Sequence, residues 1–302
     1  MKPGAPLARM QRIGLIALFI AAAQRWVDKR ASSKGAALAL YMVFSLAPIL
    51  VLVIATAGWF FDEAAVRAEI LAQINQLAGE RSAEAIETVM MSAQRSDNGL
   101  VAALLSAALL VFSSTTAFAE LKSSLDDLWG TQATMRGFHA TARSRVLSFG
   151  VVLTLSAFLL VSVVIDAVLA ALQNRLAFLL NAEQFAIIAR VASNAFSFVV
   201  FVMLFAVVLK MLPSVRMRWR DVLPGALLTA VLFLIGKVGI SLYLGRGTLV
   251  SSYGAAGSVI ALILWIYFSA LIFFFGAAFT REYWERYGQG RLQQRHDHQP
   301  HR

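Results

Sequence analysis

The sequence has no cysteine and little charge for its size. Of its 302 residues, 15% are Asp, Glu, Lys or Arg and 59% are hydrophobic, whereas a soluble protein carries about 25% charged residues. Without cysteine, disulfides, thiolate metal sites, iron–sulfur clusters and cysteine nucleophiles are excluded. Because charge is nearly absent from several long runs, the composition predicts an integral membrane protein.

The signatures of soluble enzymes are also missing. The chain has no Walker A loop, no dinucleotide-binding fingerprint and no Gly-x-Ser-x-Gly elbow. The string His296–His301 carries Pro300 where the His-x-His-x-Asp-His motif of metallo-β-lactamase-type nucleases requires Asp. We therefore expect no catalytic residues, no metal and no cofactor.

Six apolar segments are long enough to cross about 30 Å of hydrocarbon as helices. They are approximately Ala36–Phe61, Leu100–Phe118, Val146–Leu172, Phe185–Leu212, Val222–Leu244 and Gly257–Thr280. The predicted fold class is therefore all-α, a polytopic membrane bundle of six transmembrane helices.

The basic residues predict the orientation of this bundle. Of the 27 Lys and Arg residues, 20 lie in the two tails, in the even-numbered connections or, for Lys210, at the end of the fourth span next to such a connection, and five lie in the odd-numbered ones. Because basic residues are retained in the cytoplasm, both termini are expected there. The net charge of +10 then indicates contact with membrane lipids and anionic headgroups at the cytoplasmic face, and no nucleic-acid partner. The oligomeric state stays open.

The chain divides into a tail, a membrane domain and a second tail. Residues 1–35 form a cytoplasmic tail in which Ile13–Ala23 is expected to be an interfacial helix anchored by Trp26. Signal cleavage after Ala23 is the alternative, but it would export four basic residues against the charge rule. The membrane domain covers 36–285, and the polar residues 286–302 are expected to be disordered.

Two connections carry helical patterns. In the outer loop 62–99, apolar residues recur at helical spacing and predict two amphipathic helices over the outer mouth, or alternatively a solvated hairpin with no binding role. The stretch Phe118–Gly130 predicts a cytoplasmic interfacial helix, with Trp129 at the headgroup level and Gly130 as its C-cap.

Ionisable residues inside spans are functional candidates. Asp166 lies about 9 Å from the outer end of the third span and Lys237 about 10 Å from that of the fifth. The matched depths suggest an ion pair facing a cavity. The alternative is that Lys237 extends to the interface while Asp166 meets outer water.

Proline and small residues supply further candidates. Pro48 bends the first span and could expose carbonyl groups, although a packing kink is the simpler interpretation. Gly254–Ser258 leads into the sixth span, where small residues permit close packing or a helix N-terminus that attracts anions. Gly236, Gly239 and Gly276 predict close helix packing.

Several stretches together resemble the YihY/BrkB family of bacterial inner-membrane proteins. In family order these are Gly35–Tyr41, Phe44–Pro48, Phe118–Lys122, Leu128–Gly130, Arg218–Ala226, Gly236–Lys237, Leu242–Gly245, Ser252–Ser258 and Leu264–Tyr267. The resemblance implies a six-span protein of the bacterial inner membrane, in a family also labelled a virulence factor or ribonuclease BN. Within the matching stretches the candidate transport or structural residues are Pro48, Glu120, Lys122, Lys237, Tyr253, Gly254 and Gly257.

Three functions remain open at this stage. The leading hypothesis is a transporter or flippase-like permease for an envelope metabolite or lipid, supported by the intramembrane ionisable residues. The second is a non-catalytic envelope scaffold that binds partners through the outer loop. The third, a ribonuclease, is disfavoured because the cytoplasmic connections offer few acid–base groups, among them Glu120, Asp126 and Asp127.

Overall fold

A computed structural model describes residues 5–57, 62–94, 116–131, 182–215, 217–246 and 256–288. Within these ranges the secondary structure is helical and no strand occurs. The helices are α1 (Ala5–Asp28), α2 (Ala31–Ala57), α3 (Glu63–Ala78), α4 (Glu80–Gln94), α5 (helical residues 116–128), α6 (Ala182–Met211), α7 (Trp219–Arg246) and α8 (Gly257–Tyr287).

Four of the predicted spans coincide with described helices. The first, fourth, fifth and sixth spans correspond to α2, α6, α7 and α8. By length and hydropathy, two stretches of the described residues could cross a membrane, Trp219–Ile240 and Gly257–Tyr287, and two shorter apolar stretches occur in α2 and α6. Most of the second predicted span and all of the third lie outside the described residues, so the count of six stays a prediction.

Contacts divide the chain into two compact units. The first contains Met1–Gln132 and Val231–Ala278, and the second contains Ala133–Ala230 and Phe279–Arg302.

In the first unit, α3 and α4 form a hairpin that packs on α2 and α8. Asp62 caps α3 by accepting a hydrogen bond from the Ala65 N–H at 3.1 Å. Gly79, with φ +85°, then turns the chain into α4, because this backbone region is open to glycine at no steric cost. The predicted apolar faces of both helices are confirmed, since they join a core with α2 and α8 that includes Ile54, Val66, Ile70, Ile74, Ile86, Met90, Leu262 and Ile266.

The contacts within this unit fix the direction of α8 relative to α2 and α7. Gly35 at the start of α2 lies against Leu271 of α8, whereas Ile54 near the end of α2 shares a core with Leu262 near the start of α8. α2 and α8 therefore run in opposite directions. The same holds for α7 and α8, because Gly236 meets Ile272 and Ile240 packs with Ala261.

The indole group of Trp26 has a protein partner. Its Nε1–H donates to the Leu271 carbonyl of α8 at 3.2 Å. Leu18 and Ala22 of α1 are fully buried, while Leu15, Ile16 and Ile20 are more than half exposed. Trp26 therefore links α1 to α8 by a hydrogen bond. Whether the exposed apolar side of α1 lies in the membrane interface stays a prediction.

Helix α5 ends as its sequence predicts, but its tryptophan does not lie at a surface. Gly130 has φ +67°, and the Thr131 and Gly130 N–H groups donate to the Asp126 and Asp127 carbonyls in the pattern of a Schellman cap. Leu125, Leu128 and Trp129 are each fully buried. The ring of Trp129 is therefore enclosed by protein, and its predicted depth at the headgroup level stays a prediction.

In the second unit, α7 and α8 approach closely at Gly225 and Thr280. A Cβ atom on Gly225 would lie 3.2 Å from the Thr280 Cα and overlap the Thr280 side chain. The Thr229 hydroxyl donates to the Gly225 carbonyl at 2.7 Å, which satisfies a buried polar group within the same helix. Lys210 of α6 places its ammonium 3.8 Å from the centre of the Trp219 ring.

Candidate functional site

Helix α7 has one face of exposed apolar side chains. Leu223, Leu227, Val231, Ile235 and Leu242 repeat every three or four residues or a multiple of that spacing, and Ile235 is 65% exposed. These residues form one stripe along a helix, and it is about 28 Å long at 1.5 Å per residue. Its length matches the hydrocarbon core of a bilayer. We call this stripe the lipid-facing stripe of α7.

Lys237 lies outside this stripe, toward the buried side of α7. The residues four before and three after it, Phe233 and Ile240, are both buried, and side chains at these spacings share one helix face. Lys237 itself is partly buried. The backbone of Lys237 therefore lies beside a face that packs against protein, and both interpretations of its side chain stay predictions.

Trp265 of α8 packs on this side of α7, and Ser269 lies one helical turn further along α8. Phe233 contacts the edge of the Trp265 ring at 6.1 Å between centroids, and Ile240 packs near Trp265 and Phe268. The Trp265 Nε1 and the Ser269 Oγ are buried from solvent, and neither has a hydrogen-bond partner among the described residues. Buried polar groups are nearly always paired, so these two mark an unusual place in an apolar interface.

A second polar group surrounds the turn between α1 and α2. Asp127 of α5 lies 3.1 Å from the Lys29 ammonium and 2.8 Å from that of Lys34. The Arg25 guanidinium donates to the Leu128 carbonyl at 3.4 Å. Cations at a helix C-terminus are favourable because the last carbonyl groups carry partial negative charge. We call this group the turn cluster, consisting of Arg25, Lys29, Lys34, Lys122, Asp126 and Asp127.

Two lysines of the turn cluster favour the ionised form of Asp127. The Lys34 ammonium, followed by that of Lys29, holds the pKa of Asp127 below its ordinary value, and partial burial opposes this effect. Asp126 is buried and its carboxylate pairs with Lys122 at 2.8 Å. Both carboxylates are therefore committed to lysines, which is typical of a structural ion-pair group.

The predicted site residues that the structure describes do not meet in one place. Glu120 accepts a hydrogen bond from Ser124 on the same helix, and Lys122 pairs with Asp126. Pro48 falls within the helical backbone of α2, and Gly257 is the buried first residue of α8. Glu120 and Lys122 thus belong to α5 and its surroundings, whereas Lys237 belongs to the interface of α7 with α8.

Other predictions fall on residues outside the described ranges. Asp166, Tyr253 and Gly254 are among them, so the Asp166–Lys237 ion pair stays a prediction. Among the residues that the structure does describe, no group of three His, Asp or Glu side chains could hold a metal ion.

Sequence reasoning missed Trp265 and Ser269. A usable signal was present, because two polar side chains four residues apart in an apolar span share one helix face. The pairing of Lys29 and Lys34 with Asp127 was also missed. These contacts join residues almost 100 positions apart, and no local pattern indicates them.

The all-helical structure of the described residues and the exposed apolar stripe of α7 are typical of the class of α-helical membrane proteins. The family comparison then identifies which one. The chain belongs to the virulence factor BrkB family, which matches residues 22–301. The resemblance seen in the sequence is thereby confirmed.

Individual relatives are also named membrane proteins. A UPF0761 membrane protein of Tolumonas auensis is 40% identical over 72 residues, which is 24% of this chain and 24% of that protein. One from Yersinia pestis is 41% identical over 97 residues, or 31% of each chain. The matched stretches thus span about a quarter to a third of these relatives. No solved structure matches the chain.

Proposed function

We propose that this protein is a multi-pass permease of the bacterial inner membrane that moves an envelope metabolite or lipid. The observation that carries the proposal is the placement of Lys237 outside the lipid-facing stripe of α7, between the buried residues Phe233 and Ile240. An ionisable side chain is expensive within a bilayer and is retained where it serves a substrate or ion pathway.

The topology in this proposal has six spans, with both termini in the cytoplasm. The opposite directions of α2 and α8 support an even number of spans, because the first and last spans of such a protein must cross the membrane in opposite senses. The alternation of basic residues along the sequence supports the orientation. On this topology the α3–α4 hairpin lies on the outer face and the turn cluster on the cytoplasmic face.

Reconstituted vesicles test the activity. Purified protein in liposomes is expected to expose a fluorescent phospholipid of the inner leaflet to an external quencher. If the substrate is instead soluble, the protein should release one or more compounds from vesicles loaded with a bacterial small-molecule extract, as read by mass spectrometry. Lys237→Met should abolish the movement. Lys210→Met, which removes a lysine at the end of α6, should leave it intact.

Two results would contradict the proposal. One is that folded wild-type protein moves neither the lipid nor any compound of the extract. The other is movement that Lys237→Met leaves unchanged. Size-exclusion profiles and helical circular dichroism of each variant establish that the protein is folded in both cases.

A further inference from the structure

Two buried polar groups without partners lie on the part of α8 that runs beside α7 within the first unit. Trp265 and Ser269 are one helical turn apart on α8, and their buried Nε1 and Oγ atoms have no hydrogen-bond partner among the described residues. Lys237 lies on α7 between the buried residues Phe233 and Ile240. The residues with described contacts between the two helices here are mostly apolar, so these polar groups require an explanation.

Contacts on either side of Lys237 locate it along α8. Gly236, the residue before it, touches the tip of Ile272, and Ile240, three residues after it, packs with Ala261. Trp265 and Ser269 both lie between Ala261 and Ile272 on α8. The turn of α7 that carries Lys237 therefore runs beside the stretch of α8 that carries the two unpaired groups.

The chemistry of the three groups selects their ligand. An indole N–H and a lysine ammonium can only donate hydrogen bonds, and a serine hydroxyl can donate one. Three donors and a positive charge suit a group that accepts several hydrogen bonds and carries negative charge. Carboxylate and phosphate oxygens meet both conditions, and hydrogen bonds to them from charged donors are strong.

We propose that Lys237, Trp265 and Ser269 form a binding site for an oxyanion, either a phosphate or a carboxylate group. This inference rests on the permease function proposed above and names the charged part of its substrate. The oxyanion belongs either to the headgroup of a phospholipid or to a soluble metabolite. Phe233 and Ile240 form apolar walls beside the charge, where an ionic contact is screened less than in water.

Binding measurements on the full-length protein in detergent test the site and distinguish the two sources. Native mass spectrometry with phosphatidylglycerol, and with phosphatidylcholine as the zwitterionic comparison, tests a lipid headgroup. Titration with inorganic phosphate or acetate, followed by thermal unfolding, tests a soluble anion. Saturable binding in either arm supports the site, provided that Lys237→Met weakens it at least tenfold.

The other two residues give independent variants with small changes of volume. Trp265→Phe and Ser269→Ala each remove one donor and are expected to weaken anion binding several-fold. They also keep the inference testable if Lys237→Met does not fold. Lys210→Met removes a lysine from the end of α6 and should not change the binding.

The site inference fails if neither probe binds saturably, or if binding is indifferent to the three substitutions. Indifference would also be the outcome if a carboxylate of the chain, such as Asp166, occupies the lysine permanently. Failure of the permease proposal looks different, because vesicles would show no movement while Lys237-dependent anion binding persisted. Conversely, movement of a substrate without Lys237-dependent anion binding would contradict the oxyanion site and leave the permease proposal standing.

Discussion

Asp127 forms ion pairs with two lysines at once. Two lysines from the start of α2 and the turn before it contact its carboxylate, and they lower its pKa. The side chain is 49% exposed, so solvent screens the pair and the contribution is modest. The contacts nevertheless fix where α5 ends relative to the α1–α2 turn.

Asp127→Asn is expected to lower stability by less than about 1 kcal/mol at neutral pH, because both partners are partly exposed. The folded-state pKa lies below the unfolded value, so the contribution is complete above about pH 4 and is lost as the pH falls through the folded-state pKa. Thermal unfolding of both proteins from pH 7 to pH 3 measures this. A difference that grows on acidification would contradict it. Asp28→Asn, at an exposed position near the end of α1, is the control.

Arg30 adopts a backbone conformation that residues other than glycine rarely adopt. Its φ is +49° in the turn between α1 and α2, and the left-handed region costs an L-residue about 1–2 kcal/mol. Arg30→Gly should therefore raise the free energy of unfolding by about 1 kcal/mol, after the entropy that glycine adds to the unfolded chain is subtracted. Arg30→Ala keeps the strain and should not stabilise. Equal midpoints for the two variants in denaturant would refute the strain.

At the scale of the helix, α7 has two faces that differ in exposure and polarity, and each requires different surroundings. The lipid-facing stripe carries large exposed apolar side chains, and the other face carries Lys237 between buried residues. In a soluble protein such a stripe would be an aggregation hazard. In a bilayer it is the ordinary surface of a spanning helix.

A charge placed on the stripe should oppose membrane insertion. Ile235→Lys is expected to cost about 2.5–3.5 kcal/mol at the middle of a span, because the ammonium would face hydrocarbon. We expect less protein in the carbonate-resistant membrane fraction of expressing cells. Ile235→Leu should behave as the wild type. An unchanged amount of membrane-bound Ile235→Lys protein would remove the assignment of this face to lipid.

The close approach of α7 and α8 in the second unit gives a steric test. Gly225→Ala would press a methyl group against Thr280 and should destabilise the protein by about 1–3 kcal/mol, the usual cost of overpacking. Gly239 is the matched control, since a Cβ there meets no atom of a described residue within 4 Å. Gly239→Ala should be neutral or stabilising by up to about 1 kcal/mol. Similar unfolding temperatures for the two variants would count against this packing.

A comparison of Gly239 with Gly236 shows how far sequence reasoning reaches at this scale. Both were predicted to pack closely, but of these two only Gly236 meets a neighbour, because composition does not reveal which face of a helix points at its partner. Local features fared better. The Gly130 cap was predicted correctly because the cap depends on nearby residues. The hydrogen-bond partner of Trp26 and the burial of Trp129 were not predicted, because they depend on contacts distant in sequence.

For the whole molecule, the central claim is that the chain threads an inner membrane six times with its basic ends in the cytoplasm. The even number of spans rests on the opposite directions of α2 and α8, and the orientation rests on the basic residues. Neither argument involves Lys237. The topology can therefore be correct even if the oxyanion site is not.

Single-cysteine labelling tests this claim directly, because the natural chain contains no cysteine. One cysteine at a time replaces a residue with an exposed side chain: Glu80 at the start of α4, Ser214 between α6 and α7, or Tyr287 at the end of α8. A membrane-impermeant maleimide is then applied to intact spheroplasts and to inverted vesicles. The six-span topology predicts labelling of position 80 from the outside only, and of positions 214 and 287 from the inside only. Labelling of positions 80 and 287 from the same side would contradict it.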